Sequence, residues 1–238
     1  MKSYLIIIPA RGGSKGVPDK NIIEIAGKPL VAYSIEVAAK VLAANVKGEA
    51  VVSTDSVAIA NIAREWGGNV PFMRPDEISG DTAKSVEFLM HALDIYQSKG
   101  RSFDATILLQ PTSPQRTTQD VLQAVGVFEV VGQPSLISVY KENRVCDLNS
   151  YHRRGDIANP LNPQHNEGIR RQEHEELYVR NGAVYITDVT YLRKEQKVIS
   201  DTPALYVMPK SRSVDLDTVE DLEFLKLYFE RKEVKQHE

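Results

Sequence analysis

The sequence predicts an α/β fold with a mainly parallel central sheet and helices on both faces, and three observations carry that prediction. Short apolar runs alternate with helical patterns over the first 140 residues. The first of them, Leu5-Ile6-Ile7-Ile8, is rich in β-branched residues and uninterrupted, as expected of a strand buried on both faces. The chain is 238 residues long, with 42% hydrophobic and 26% charged residues, an ordinary globular balance that can bury a large core without staples.

Leu5-Ile6-Ile7-Ile8 reads as the first strand, followed by a Gly-rich polar loop from Arg11 to Asn21. Leu30, Tyr33, Val37 and Val41 share one helical face, with Pro29 suited to a first turn. Ala50-Val51-Val52 is the next strand, and the helix carrying Ile59, Ile62, Ala63 and Trp66 is stopped by Gly67-Gly68. Val70 to Met73 reads as a short strand, and Val86, Leu89, Met90 and Leu93 as a helix. Thr106 to Leu109, a helix through Val121 and Phe128, and Leu136 to Tyr140 continue the rhythm. Such alternation implies right-handed βαβ crossovers. Residues 141 to 178 break it: they are polar, contain Pro160 and Pro163, and read as an insertion with a job of its own. Strands at Gly182–Thr187 and Leu205–Met208 and a closing helix through Leu222, Leu225 and Phe229 complete the chain, with a tail expected to fray from Arg231.

Twenty-nine basic residues against 32 acidic ones give a net charge of −3, which argues against coating nucleic acid or an anionic membrane. Cys146 is the lone cysteine, so an intramolecular disulfide and a cysteine-based metal cluster are excluded. No segment approaches the ~20 apolar residues of a membrane span. Tyr4 to Ala10 runs into Arg11 without a small-residue cleavage site. The expectation is a soluble cytoplasmic protein without nucleic-acid or membrane partners.

In open α/β sheets ligands bind beyond the carboxyl ends of strands, so the residues after each strand are the candidates. The loop Pro9 to Asn21 holds Gly12, Gly13 and Gly16, which allow close backbone approach, and the cations Arg11, Lys15 and Lys20. That is chemistry for a polyphosphate, although a solvated basic loop has the same composition, and neither G-x-x-x-x-G-K-[ST] nor G-x-G-x-x-G occurs. In Ser53-Thr54-Asp55-Ser56 the competing role is a helix cap at Asp55 or Ser56. Arg74 and Ser85 follow the third run, and Gln110 opens Gln110-Pro111-Thr112-Ser113-Pro114, where it can meet a base or sugar. In Ser213-Val214-Asp215-Leu216-Asp217 an extended chain turns both carboxylates to one face, suiting a hard divalent cation. Asp217 also heads a capping-box variant with Glu220, a role Asp215 lacks.

The loop at 9 to 21, Leu109 to Pro114, Arg180-Asn181-Gly182-Ala183-Val184-Tyr185 and Ser213 to Thr218 together resemble the CMP-N-acylneuraminate synthetases, in the right order over almost the whole chain. The resemblance implies a Rossmann-like nucleotidyltransferase (GT-A-like) fold and transfer of CMP from CTP to a sialic-type acid, with release of diphosphate. It implies Arg11, Gly12, Gly13, Ser14, Lys15 and Lys20 at the CTP phosphates, and Asn21, Arg74, Ser85 and Gln110 toward cytidine. Arg171 (or its neighbour Arg170), Arg180, Asn181 and Tyr185 become the acceptor set, with Gln110 extending to it, and Asp215 and Asp217 the Mg²⁺ ligands. Arg11, Lys20, Asp215 and Asp217 carry the chemistry in that reading. The corresponding segment in the family covers the partner's active site in a homodimer, which makes 141 to 178 the dimerisation candidate. Rival readings are a CMP-Kdo type of synthetase and a catalytically silent nucleotide-binding module of the same fold.

Overall fold

A computed structural model describes residues 2–14, 16–168 and 176–237. The elements in chain order are β1 (Tyr4–Pro9), β2 (Glu24–Ile25), β3 (Lys28–Pro29), α1 (Leu30–Ala43), β4 (Gly48–Ser53), α2 (Val57–Glu65), α3 (Ser85–Ser98) and β5 (Ala105–Leu108). They continue with α4 (Thr118–Val131), β6 (Ser135–Glu142), β7 (Tyr151–Arg154), β8 (Ile157–Pro160), β9 (Leu177–Asp188), α5 (Val189–Glu195), β10 (Ala204–Val207) and α6 (Val219–His237). Six strands form the central sheet in the order β10-β6-β9-β5-β1-β4.

β1 lies between β4 and β5 and runs parallel to both. Its side chains alternate between two cores. Tyr4, Ile6 and Ile8 pack with α1, α2 and α4, whereas Leu5 and Ile7 face α3 and Leu192 of α5. Leu5, Ile6 and Ile7 are fully buried, and burial of such a side chain contributes roughly 1.5–3 kcal/mol. Helices on both faces explain why this strand reads as an unbroken apolar run.

A third cluster bears directly on function. Val17 from the Gly-rich loop and Leu216 from the Asp215–Asp217 segment meet Ile25, Leu30 and the Leu222, Leu225 and Phe229 face of α6. Two segments almost 200 positions apart are thereby packed on one apolar seam.

The structure corrects the sequence reading in some places and adds detail to it in others. Val70 to Met73 joins no sheet: its flanking residues are bonded to β4 and the residue after it, the Val52 amide donating to the Asn69 carbonyl and the Arg74 amide to the Thr54 carbonyl. Pro71 in its middle has no N–H to give a ladder. The sheet is mainly parallel but mixed, because β9 is antiparallel to both β5 and β6. The β6–β9 ladder continues to Glu142 paired with Leu177, so residues 141, 142, 177 and 178 are strand and the inserted part lies between them. That part contains an antiparallel hairpin, β7–β8. Lastly, α5 follows β9 immediately, capped by Asp188, and α6 runs to His237 beyond the expected frayed end.

Candidate active site

A cleft of about 530 Å³ opens where β1 and β5 end, lined by Pro9 and Arg11 on one side and Gln110 to Thr112 on the other. Both loops emerge from the carboxyl ends of parallel strands, as the topology requires.

The Gly-rich loop is shaped by its own partners. The Gly12 amide donates to Asp55 Oδ1 at 2.9 Å, so this amide is engaged inside the protein. Asp55 thus ties the loop, and Ser56 is the residue that caps α2. Arg11 reaches across the cleft to Asp81 at 2.7 Å, and Asn21, nearly buried, donates to the Arg11 carbonyl at 2.9 Å. Gly13 adopts φ +63°, a conformation suited to glycine, and Ser14 lies on the cleft wall. Gly16 has a steric reason to be glycine: a Cβ there would sit 2.5 Å from the Asp217 carbonyl oxygen. Lys15 lies outside the described residues.

Lys20 and Asp217 join the two loops. The Lys20 ammonium donates to the Leu216 carbonyl at 2.7 Å and to Asp217 Oδ1 at 3.0 Å. The helix cap expected at Asp217 falls one residue later. Thr218 precedes α6, and Asp221, in place of Glu220, accepts from the Asp217 and Thr218 amides and the Thr218 hydroxyl. The Asp217 carboxylate is therefore not used for capping, and its side chain stays 70% exposed toward the cleft.

Asp215 is placed differently. Burial pushes its carboxyl above the usual value, a hydrogen bond from Thr112 opposes this, and the Asp217 charge adds to the rise. Its Oδ1 is buried without a hydrogen-bond partner. A buried carboxylate oxygen left unpaired is costly, and a hard cation satisfies it. No group of three or more His, Cys, Asp or Glu suited to a metal occurs among the described residues. Asp215 and Asp217 would offer carboxylate oxygens to a hard cation such as Mg²⁺, which is commonly held by only one or two protein carboxylates.

Arg74 is 4% exposed, donates to the Ser53 hydroxyl at 3.0 Å and the Ser53 carbonyl at 2.6 Å, and stacks 4.5 Å over the Phe88 ring. Burial lowers its pKa to about 10, against the pull of Asp55, so it remains a cation at neutral pH. Ser85 opens α3 on the opposite wall. Gln110 lies above Gly182, whose φ is +72° and where a Cβ would stand 2.7 Å from Gln110 Oε1 and 3.2 Å from Asp215 Oδ2.

The acceptor set expected from sequence is not gathered as one surface. Asn181 is 2% exposed and turned inward. It accepts from Ser138 at 2.6 Å and donates to Ser213 at 2.9 Å, filling the irregularity where β6 slips against β9. Arg180 is exposed on β9. Burial raises the Tyr185 hydroxyl, Arg180 pulls it down and Asp215 pushes it up, which places Tyr185 within electrostatic reach of both. None of the three lines the cleft, and Arg170 and Arg171 lie outside the described residues.

Sequence reasoning missed several contributors. Asp55 enters the sequence reading only as a possible cap and Thr112 only as a loop member, and Asp81 and Phe88 carry no site role there. Phe88 lies one turn after Ser85, a spacing that could have placed it on the cleft side of α3.

The chain can now be set beside known proteins. A cytidylyltransferase family model matches residues 5–234. Pseudaminic acid cytidylyltransferase of Campylobacter jejuni is 31% identical over 94% of this chain and 95% of its own length. CMP-N,N'-diacetyllegionaminic acid synthase of Legionella pneumophila is 35% identical over 90% of each. N-acylneuraminate cytidylyltransferase of Escherichia coli is 31% identical over 94% of this chain but only 51% of its own. In fold, a CMP:2-keto-3-deoxy-manno-octonic acid synthetase solved with CTP superposes with a TM-score of 0.70 at 17% identity, covering 97% of this chain and 99% of the other. With the nucleotidyltransferase fold, a cleft at the strand ends and a family match over nearly the full length, the chain belongs to the cytidylyltransferase family.

Proposed function

We propose that this protein activates a nine-carbon sialic-type (nonulosonic) acid, converting CTP and the acid to the CMP-sugar and diphosphate. The observation that carries this reading is the meeting of a basic Gly-rich loop with the Asp215–Asp217 pair in one cleft. The relatives named for pseudaminic, legionaminic and N-acylneuraminic acids support the acceptor class.

The anomeric hydroxyl of the acid attacks the α-phosphorus, and diphosphate leaves in line. Arg11 and Lys20, both lining the cleft, balance the charge growing on the leaving group. Arg74, rigid against Phe88, and Ser85 shape the cytidine end, with Asn21 holding the turn of the loop. Asp215 and Asp217 are the residues to hold Mg²⁺. When bound, the ion supplies Lewis acidity and orients the phosphates. Asp217, exposed beside Lys20, assists removal of the hydroxyl proton. Arg180 grips the acceptor carboxylate through its planar fork, with Arg171 as its second cation. Gln110 and Tyr185 frame the sugar, and Asn181 supports the strand beneath it. CTP is a cytoplasmic metabolite, so we place the reaction there.

We also propose a homodimer in which the hairpin β7–β8 covers the partner's cleft. Tyr151, Ile157 and Leu161 present exposed apolar surface there, which supports an interface. Sedimentation at micromolar concentration tests this, and a monomer rejects it.

Diphosphate release tests the reaction itself, using CTP, Mg²⁺ and a panel of pseudaminic, legionaminic and N-acetylneuraminic acids plus Kdo, with ATP, GTP and UTP as controls. Release that requires CTP and one nine-carbon acid supports the proposal and names the acceptor. Release with Kdo alone, or tight CTP binding with no release, overturns it.

A further inference from the structure

Residues 213–217, which carry Asp215 and Asp217, form no helix or strand of their own. What fixes their path is a set of contacts from distant elements. The Leu216 amide donates to the Thr112 carbonyl at 2.8 Å. Gln115 acts as a false backbone: its amide donates to the Ser211 carbonyl at 3.2 Å, and its oxygen accepts from the Val214 amide at 3.3 Å. On the other side, Asn181 donates to the Ser213 hydroxyl.

The strongest tether is ionic. Arg212 forks onto Asp120 through two bonds of 2.5 and 2.9 Å, and a third, longer bond reaches the Gln115 carbonyl at 3.5 Å. Asp120 is 2% exposed and sits in the first turn of α4. It is further held by the Thr117 amide and hydroxyl and by Tyr206. A buried ion pair contributes little net stability against an apolar replacement of the same shape. What a bidentate pair supplies is direction.

We infer that Arg212 is a positioning residue: its fork onto Asp120, together with Gln115, sets how Asp215 and Asp217 stand to one another and to the cleft. The inference rests on the reading of those two aspartates as the metal-binding pair. Neither Arg212 nor Asp120 lines the cleft, so the effect passes through the loop.

Arg212→Lys keeps the charge and loses the fork. Mn²⁺ binding, followed by electron paramagnetic resonance in the presence of CTP and without acceptor, reads the site without turnover. The expected result is a folded protein with unchanged metal-free CTP affinity and Mn²⁺ affinity weakened by about 10-fold or more, as for groups that orient metal ligands. In turnover, the Mg²⁺ concentration for half-activation rises by a similar factor, and kcat recovers at saturating Mg²⁺. Wild-type Mn²⁺ affinity alongside a lowered melting temperature overturns the inference. Gln115→Met repeats the test without touching the ion pair, should Arg212→Lys fail to fold. Asp215→Asn separates the two ideas. If it too leaves Mn²⁺ affinity unchanged, the metal reading falls and the inference with it; if it abolishes binding while Arg212→Lys and Gln115→Met do not, only the positioning role falls.

Discussion

In the cleft, Arg11, Lys20 and Arg74 each have a partner within 3.0 Å, and Arg74 and Asn21 are nearly buried. Outside the cleft lining, Arg180 is exposed on β9, and the hairpin β7–β8 is exposed along most of its length. The difference teaches how the labour is divided. In the proposed reading, the groups that meet the nucleotide are each held by a fixed partner, Arg11 by Asp81, Lys20 by Asp217 and Arg74 by Ser53, and misplacement of such groups is costly. In the same reading, the groups that select among related acids stand on exposed segments, where change disturbs little packing.

The largest effect tests the locked end. Asp215→Asn and Asp217→Asn each lower kcat by about 100-fold or more at saturating Mg²⁺, the scale for losing one group that stabilises developing charge. Diphosphate release measures it, and near-normal turnover in both variants removes them from the mechanism. Arg180→Lys probes the projecting end. It raises KM for the sugar acid by about 10-fold, the scale of one lost charge-assisted hydrogen bond, and leaves KM for CTP unchanged. Equal changes in both constants would erase the distinction between the ends.

Gly182 lies beneath the boundary between them. Gly182→Ala costs about 1–2 kcal/mol for the left-handed backbone, and it also displaces Gln110. Urea unfolding and CTP affinity report the two losses; an unchanged midpoint and unchanged affinity contradict the geometry. The smallest effect concerns acid stability. Burial pushes the Asp120 carboxyl up, but the hydrogen bonds from Arg212 and Thr117 outweigh it and hold the native value below the ordinary one. The unfolded chain therefore binds this proton more readily. The contribution is full above about pH 4 and is lost as pH falls through the lower native value. Asp120→Asn flattens that part of the thermal stability profile, and an unaltered acid slope refutes the assignment.

Much of the scaffold was legible because its signals are local. The β-branched run at Leu5–Ile8, the stop at Gly67-Gly68 and the periodicity of α3 and α4 each need only neighbouring residues to be read. Val70–Met73 misled because its composition suits a strand while Pro71 removes the ladder donor. The direction of β9 was hidden because strand polarity in a sheet depends on the path of the preceding connection.

For the site, sequence alone marked the residue types: a glycine-rich loop with three cations, a late pair of carboxylates with Val214 and Leu216 alternating between them, and Gln110 after a strand. Tertiary structure decided their assignments. It moved the α6 cap from Asp217 to Thr218 and Asp221, turned Asn181 into the interior, gave Gly12 to Asp55, and set Arg212 on Asp120. The physical reason is that a side chain's chemistry is written in its own atoms, whereas its role depends on which partners reach it first. The α6 cap is settled within four residues, but the partners of Gly12, Asn181 and Arg212 lie 43, 43 and 92 positions away and are brought close only when the core closes.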